Sequence, residues 1–203
     1  MKKLVFLIMI IFSVTVYAAN GDGKKLTIGD KALYTDVKML DVSGEKISLK
    51  DASRENGIVV LFSCNSCPFV LQWEDRYSDI KAWADKNKVG MIVLNSNHQK
   101  RDGDDSYEAM KKHASEKGYN FYYAVDENSL LANSFGGQTT PHAFVFDGEM
   151  ELVYKGAIDD SYKSADNVKQ AYLKEAVASL GNGKKVALSE TKPVGCSIKR
   201  KTD

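Results

Sequence analysis

Short apolar runs alternate along this chain with stretches in which apolar residues recur every three or four positions. The runs GIVVLFS (57–63), VGMIVLN (89–95) and FYYAV (121–125) are too short for helices and rich in β-branched and aromatic residues. Each predicts a strand, and the first reads as buried on both faces at the centre of a sheet. Between them, Val70, Trp73, Tyr77, Ile80 and Ala84 share one helical face and predict a single helix of about five turns. Tyr107, Met110 and Ala114 predict a second helix over 106–117, and NSLLANSF a short one over 128–135.

Two hairpins bracket this alternation. One is expected over 37–49, turning at Ser43-Gly44-Glu45-Lys46; the other joins 142–146 to 151–156 across Asp147-Gly148. A closing helix over 166–180 ends at Gly181-Asn182-Gly183. The fold class is therefore α/β: a central mixed sheet flanked by helices on both faces, preceded by an N-terminal β-hairpin. The domain spans 27–183, with a tail of low periodicity over 184–203 that carries Cys196.

Residues 1–18 stand apart: two lysines, an apolar run and a closing Val16-Tyr17-Ala18 have the form of a cleavable signal peptide. The apolar run is shorter than the roughly 20 residues a membrane span needs. Export to a periplasmic or other extracytoplasmic site is expected, with a flexible leader over 19–26 and no membrane span after cleavage. Losing Lys2 and Lys3 changes the formal charge from +1 to −1. Basic and acidic residues are interspersed, so no nucleic-acid surface is expected. The sequence does not specify an oligomeric state.

Export changes the reading of the cysteines, because extracytoplasmic thiols oxidise unless kept reduced. Cys64 and Cys67, in LFSCNSCPFV, sit where a buried strand gives way to a helix that Pro68 can open. The positive end of a helix favours a thiolate. Cys64 is expected to be the attacking sulfur and Cys67, one turn in, the resolving one. A structural zinc site needs ligand pairs that His98, His113, His142 and Cys196 do not supply. A purely structural bridge across so short a loop adds little. Thr140 and Pro141, in QTTPHAFVFD, open a strand; a cis bond between them would let the Thr140 backbone pair with an extended substrate, but the residues alone favour an ordinary trans proline at a strand start.

Taken together, CNSCPFV, DDSYEAM, TTPHAFVFD, LVYKGAIDD and GCSIK resemble a subgroup of thioredoxin-like redoxins. That subgroup belongs to the AhpC/TSA branch, which includes exported TlpA-like thiol–disulfide oxidoreductases, and the resemblance covers about residues 27–201. It implies a thioredoxin fold in which the Thr140–Pro141 bond is cis and lies beside Cys64 and Cys67. It also implies protein thiols or disulfides as partners, an external electron donor or acceptor, and no cofactor or metal beyond the redox-active disulfide. Two residues depart from the subgroup: Ser66 stands where a histidine is common, and Arg200 where the tail carries tryptophan.

Two other functions compete. A thiol peroxidase needs a PxxxTxxC pattern, but Gly57 and Leu61 occupy the proline and threonine places before Cys64. A copper carrier would use the cysteines with a histidine such as His142 or His98, yet such carriers space their cysteines by three residues. Cys196 is a candidate third redox cysteine if the tail folds back. The acidic residues Asp102, Asp104, Asp105, Asp159 and Asp160 are read as solvated loops, and Trp73 as core.

Overall fold

The computed structural model describes residues 25–201. The expected signal peptide at 1–18 lies outside the described residues, as does most of the 19–26 leader. A two-residue hairpin, β1 (Met39–Leu40) and β2 (Lys46–Ile47), precedes a one-turn helix α1 (Leu49–Ala52). Ser48 and Asp51 form a reciprocal capping box at the start of α1. The main sheet has the order β5-β4-β3-β7-β8, built from β3 (Ile58–Ser63), β4 (Gly90–Asn95), β5 (Tyr122–Val125), β7 (His142–Phe146) and β8 (Leu152–Gly156). Strands β3, β4 and β5 run parallel, while β7 and β8 are antiparallel additions, which makes the sheet mixed as expected.

Every residue of β3, β4 and β7 is buried, because helices cover both faces. Val59, Leu61, Met91, Val93 and Val145 form one face of the core with residues of α2 (Pro68–Trp73), α3 (Tyr77–Lys86), α4 (Tyr107–Glu116) and α6 (Tyr172–Gly181). Ile58, Val60, Phe62, Ile92 and Phe144 form the other with α1 and α5 (Leu130–Phe135). Full burial of each such side chain contributes about 1.5–3 kcal/mol, which anchors the centre of the sheet firmly.

Three features depart from the periodicity. The long helix expected from Val70 to Ala84 is broken into α2 and α3 by a tight turn at Glu74–Arg76. There the buried Glu74 carboxylate meets His113 at 2.7 Å, Lys117 at 2.5 Å and the Tyr119 hydroxyl at 3.1 Å. Helix α6 begins at Tyr172, later than expected, after a short turn at Ala165–Asn167. The tail is not loose. Thr191 N–H donates to the Lys155 carbonyl (3.1 Å) at the edge of β8. The chain then adds a strand, β9 (Cys196–Ser197), antiparallel to β6 (Thr139–Thr140).

Candidate redox site

Strand β3 ends at Ser63, and the next four residues turn at the end of this central strand before α2 begins at Pro68. Cys67 is the residue that caps α2, and Pro68 occupies the first helical position, where its missing N–H costs nothing. A buried acid fixes the turn between the cysteines. Asp105 Oδ1 accepts from the Asn65 backbone N–H at 2.8 Å and from Asn95 Nδ2 at 2.7 Å, while Oδ2 accepts from Asn97 Nδ2 at 2.9 Å. Tyr123 donates its hydroxyl hydrogen to Asn65 Oδ1 at 2.8 Å. The reading of Asp105 as solvated is therefore corrected: it is fully buried, unlike the exposed Asp102 and Asp104. Asp159 is corrected likewise. It is buried and accepts from Trp73 Nε1 at 2.9 Å and from Arg76 at 2.5 Å, holding the far end of α2.

Across from this turn lies the Thr140–Pro141 peptide, which is cis. Cys64 Sγ is 3.3 Å from Thr140 Oγ1, and Cys67 Sγ is 3.1 Å from the Thr140 carbonyl oxygen. The structure thus brings Cys64, Cys67, Thr140 and Pro141 together, and it adds Cys196, whose sulfur is 2.7 Å from that of Cys67. All three cysteines are unbridged thiols.

The tail occupies the position anticipated for a substrate. Thr140 pairs with Cys196 and Thr139 with Ser197, so the Thr140 backbone is covered and the residue is only 1% exposed. Gly195 makes this approach feasible, since a Cβ there would lie 2.2 Å from the Thr140 carbonyl oxygen. Beyond β9, Ile198 is buried and its N–H donates to the Gln138 carbonyl at 3.2 Å. Lys199 N–H donates to Asn97 Oδ1 at 2.8 Å, and Arg200 to the Gly137 carbonyl. Asn97 therefore holds the tail with one end of its amide and Asp105 with the other. The arginine found in place of tryptophan does not prevent docking.

Burial and hydrogen bonding distribute charge unevenly over the three sulfurs. Cys67 is lowered to about 4, chiefly by the hydrogen bond from the Cys64 thiol and also by one from Cys196. Cys64 is pushed well above the ordinary thiol range because its proton is held toward Cys67, with burial and the charge of Asp105 adding to this. Cys196 is raised to about 11, first by desolvation and then by its charged neighbour Cys67. These directions favour charge on Cys67, whereas the sequence reading expected it on Cys64. The helix begins one turn later than that reading required, so the sulfur at its mouth belongs to Cys67. Both cysteines of the pair are buried, at 2% and 5% exposure, whereas Cys196 is partly exposed.

His142, the imidazole a copper site would recruit, is buried against Phe144, and its Nδ1 accepts from the Gln138 N–H at 3.1 Å. Burial lowers its pKa to about 3, so it stays neutral. His98 Nδ1 lies 3.9 Å from Glu127. Trp73 is core as expected, and Phe69 and Tyr162 form an aromatic rim beside it, with ring centroids 5.1 Å apart. Asp105, Asn97 and Gly195 were missed by sequence reasoning. The available signals were weak: a polar run (NSN) directly after a buried strand, and a glycine preceding a tail cysteine.

Comparison with known proteins places these features. A family model described as the AhpC/TSA family matches residues 28–155. An uncharacterized conserved protein from Geobacillus kaustophilus shares 30% identity, with 87% of this chain and 94% of that one covered and a TM-score of 0.79. A hypothetical protein from Sinorhizobium meliloti 1021 shares 26% identity over 89% of this chain and 98% of its own, with a TM-score of 0.80. A peroxidoxin from Mycobacterium tuberculosis, at 15% identity, covers 75% of this chain and 95% of its own with a TM-score of 0.57, and shows the fold alone. None of the curated proteins compared matches this sequence.

Proposed function

The chain belongs to the AhpC/TSA family and has a thioredoxin-like fold; from that premise we propose that it is an exported thiol–disulfide oxidoreductase working through Cys64 and Cys67. The observation that carries this reading is the pair itself, at the end of the central strand, with Cys67 capping α2 and both sulfurs against Thr140. In the reduced state Cys67 holds the negative charge and Cys64 the proton. Oxidation joins the two sulfurs and breaks one disulfide of the partner, which takes up the two electrons and leaves as a thiol and a thiolate, the thiol keeping the Cys64 proton. Attack by a partner thiolate followed by a second thiol reverses the cycle. The sulfurs suffice as redox group.

The form of residues 1–18 supports export, and among the described residues no helix is long and apolar enough to cross a membrane. Partners on this reading are extracytoplasmic protein thiols or disulfides. Peroxide chemistry, the competing reading, is disfavoured by Leu61 and Gly57, which occupy the threonine and proline positions of the peroxidatic pattern.

The test is turnover of a protein disulfide, such as insulin with dithiothreitol as electron source, by the mature protein and by Cys64→Ser and Cys67→Ser. Acceleration by the wild type and its loss in both variants is expected. A wild type no faster than dithiothreitol alone would reject the reading. The reduction potential of the pair, measured in a glutathione buffer, then tells reductant from oxidant.

A further inference from the structure

With the tail docked, neither sulfur of the pair is open to a partner protein. Of the three cysteines only Cys196 is partly exposed, and its sulfur lies 2.7 Å from that of Cys67. The contact is held from both sides. Antiparallel pairing sets Cys196 opposite Thr140, Gly195 permits the close approach, and the hydrogen bonds from Ile198 and Lys199 pin the chain beyond β9. A bonded pair of sulfurs is separated by about 2.05 Å, so bridging Cys67 to Cys196 needs only a small movement of the side chains.

We propose that Cys196 is a third redox cysteine, exchanging with the Cys64–Cys67 disulfide to form a Cys67–Cys196 bridge through which external thiols reach the buried pair. The proposal rests on the dithiol–disulfide reading of Cys64 and Cys67.

The exchange is an isomerisation without net oxidation. The Cys196 sulfur attacks the Cys67 sulfur, the Cys67–Cys196 bond forms, the Cys64–Cys67 bond breaks, and the proton lost by Cys196 ends on Cys64. The same three atoms favour this step. Once Cys67 is bridged to Cys64 it no longer carries charge, which removes one cause of the raised pKa of Cys196. The released Cys64 is the sulfur that best retains a proton. In the second step an external thiolate attacks the sulfur of the partly exposed Cys196 and expels Cys67. A thiol held at about 4 is a good leaving group. A second external thiolate then attacks the external sulfur of the mixed disulfide on Cys196, forming an external disulfide and releasing Cys196 as a thiol, which completes the two-electron reduction. An external disulfide drives the sequence in reverse.

Two measurements on the full mature chain test this. Wild type equilibrated in graded glutathione buffers, acid-quenched, alkylated and digested should yield both Cys64–Cys67 and Cys67–Cys196 peptides by mass spectrometry. In Cys64→Ser the Cys67–Cys196 bridge should dominate. Stopped-flow reduction of the oxidised protein by dithiothreitol should be at least tenfold slower in Cys196→Ser, which is nearly isosteric and retains the β6–β9 pairing. Finding only the Cys64–Cys67 bridge at every potential, with Cys64→Ser alkylated at both remaining thiols, overturns the proposal. So does Cys196→Ser reduced as fast as wild type or faster, which would make the tail a cover. Either result leaves the proposed function standing if insulin turnover persists; a wild type that forms no internal disulfide removes both.

Discussion

The turn carrying Cys64 and Cys67 and the tail carrying Cys196 meet sulfur to sulfur, yet they are held by opposite means. The turn is continuous with β3 and α2, whose Phe62, Val70 and Trp73 are buried in the core. It cannot leave without dismantling the centre of the sheet. The stretch 194–201 that carries Cys196 is held by a few backbone hydrogen bonds, each contributing about 0.5–1.5 kcal/mol, and by one buried side chain, Ile198. It can detach by local opening while the rest of the molecule stays folded. The contrast is between a pair fixed by the core and a cover fixed by few contacts, so a change that loosens the tail should leave the pair assembled.

Four substitutions or titrations should sharpen that contrast. The largest effect is expected from Cys67→Ser, which removes the sulfur shared by both bridges and should bring insulin turnover to the uncatalysed rate. Next is Asp105→Ala. It leaves the buried Asn65 N–H and the Asn95 and Asn97 amides without their acceptor, and each unmet donor costs about 1–3 kcal/mol. Urea unfolding should show a loss of several kcal/mol, whereas an unchanged midpoint would mean that the turn does not depend on this acid.

Gly195→Ala should act on the tail alone. Its Cβ would collide with the Thr140 carbonyl, so amide exchange at Gln99, Ile198 and Lys199 should accelerate while β3 stays protected. Uniform acceleration throughout the sheet would break the distinction between the two regions. The smallest effect is in pH dependence. Cys67 has a folded pKa of about 4 against an ordinary value near 9, so its contribution to the stability of the reduced protein is full above about 9 and is lost as pH falls toward 4. Cys196, raised to about 11, contributes in the opposite sense: its part is full below about 9 and is lost as pH rises through 11. Urea titrations of the reduced wild type, compared with Cys67→Ser and Cys196→Ser, should show the two slopes separately.

The parallel strands, the second hairpin and the placement of the cysteines were legible because each rests on a local signal. Apolar runs mark the buried strands, and a proline after Cys67 marks the helix start. Helix continuity was misread at Glu74 because the turn there depends on His113, Lys117 and Tyr119, which are distant in sequence and give the apolar period no sign of their presence. The role of Asp105 was hidden for the same reason, since its partners come from two separate segments, the turn at Asn65 and the run at Asn95 and Asn97. Strands β6 and β9 have two residues each, too few for any alternation to register. The lowered pKa of Cys67 depends on hydrogen bonds from both other sulfurs, and neither the Cys64–Cys67 spacing nor the helix start carries any sign of Cys196.

Three sulfurs also impose a parity. An internally oxidised chain always retains one thiol, and the bridge it adopts decides where that thiol lies. With Cys64 joined to Cys67, the spare thiol is Cys196, partly exposed and open to glutathione or to a second molecule. With Cys67 joined to Cys196, the spare is Cys64, at 2% exposure beneath the docked strand. The second arrangement would leave no reactive cysteine thiol on the surface under oxidising conditions, so covalent dimers and over-oxidation would track the population of the first.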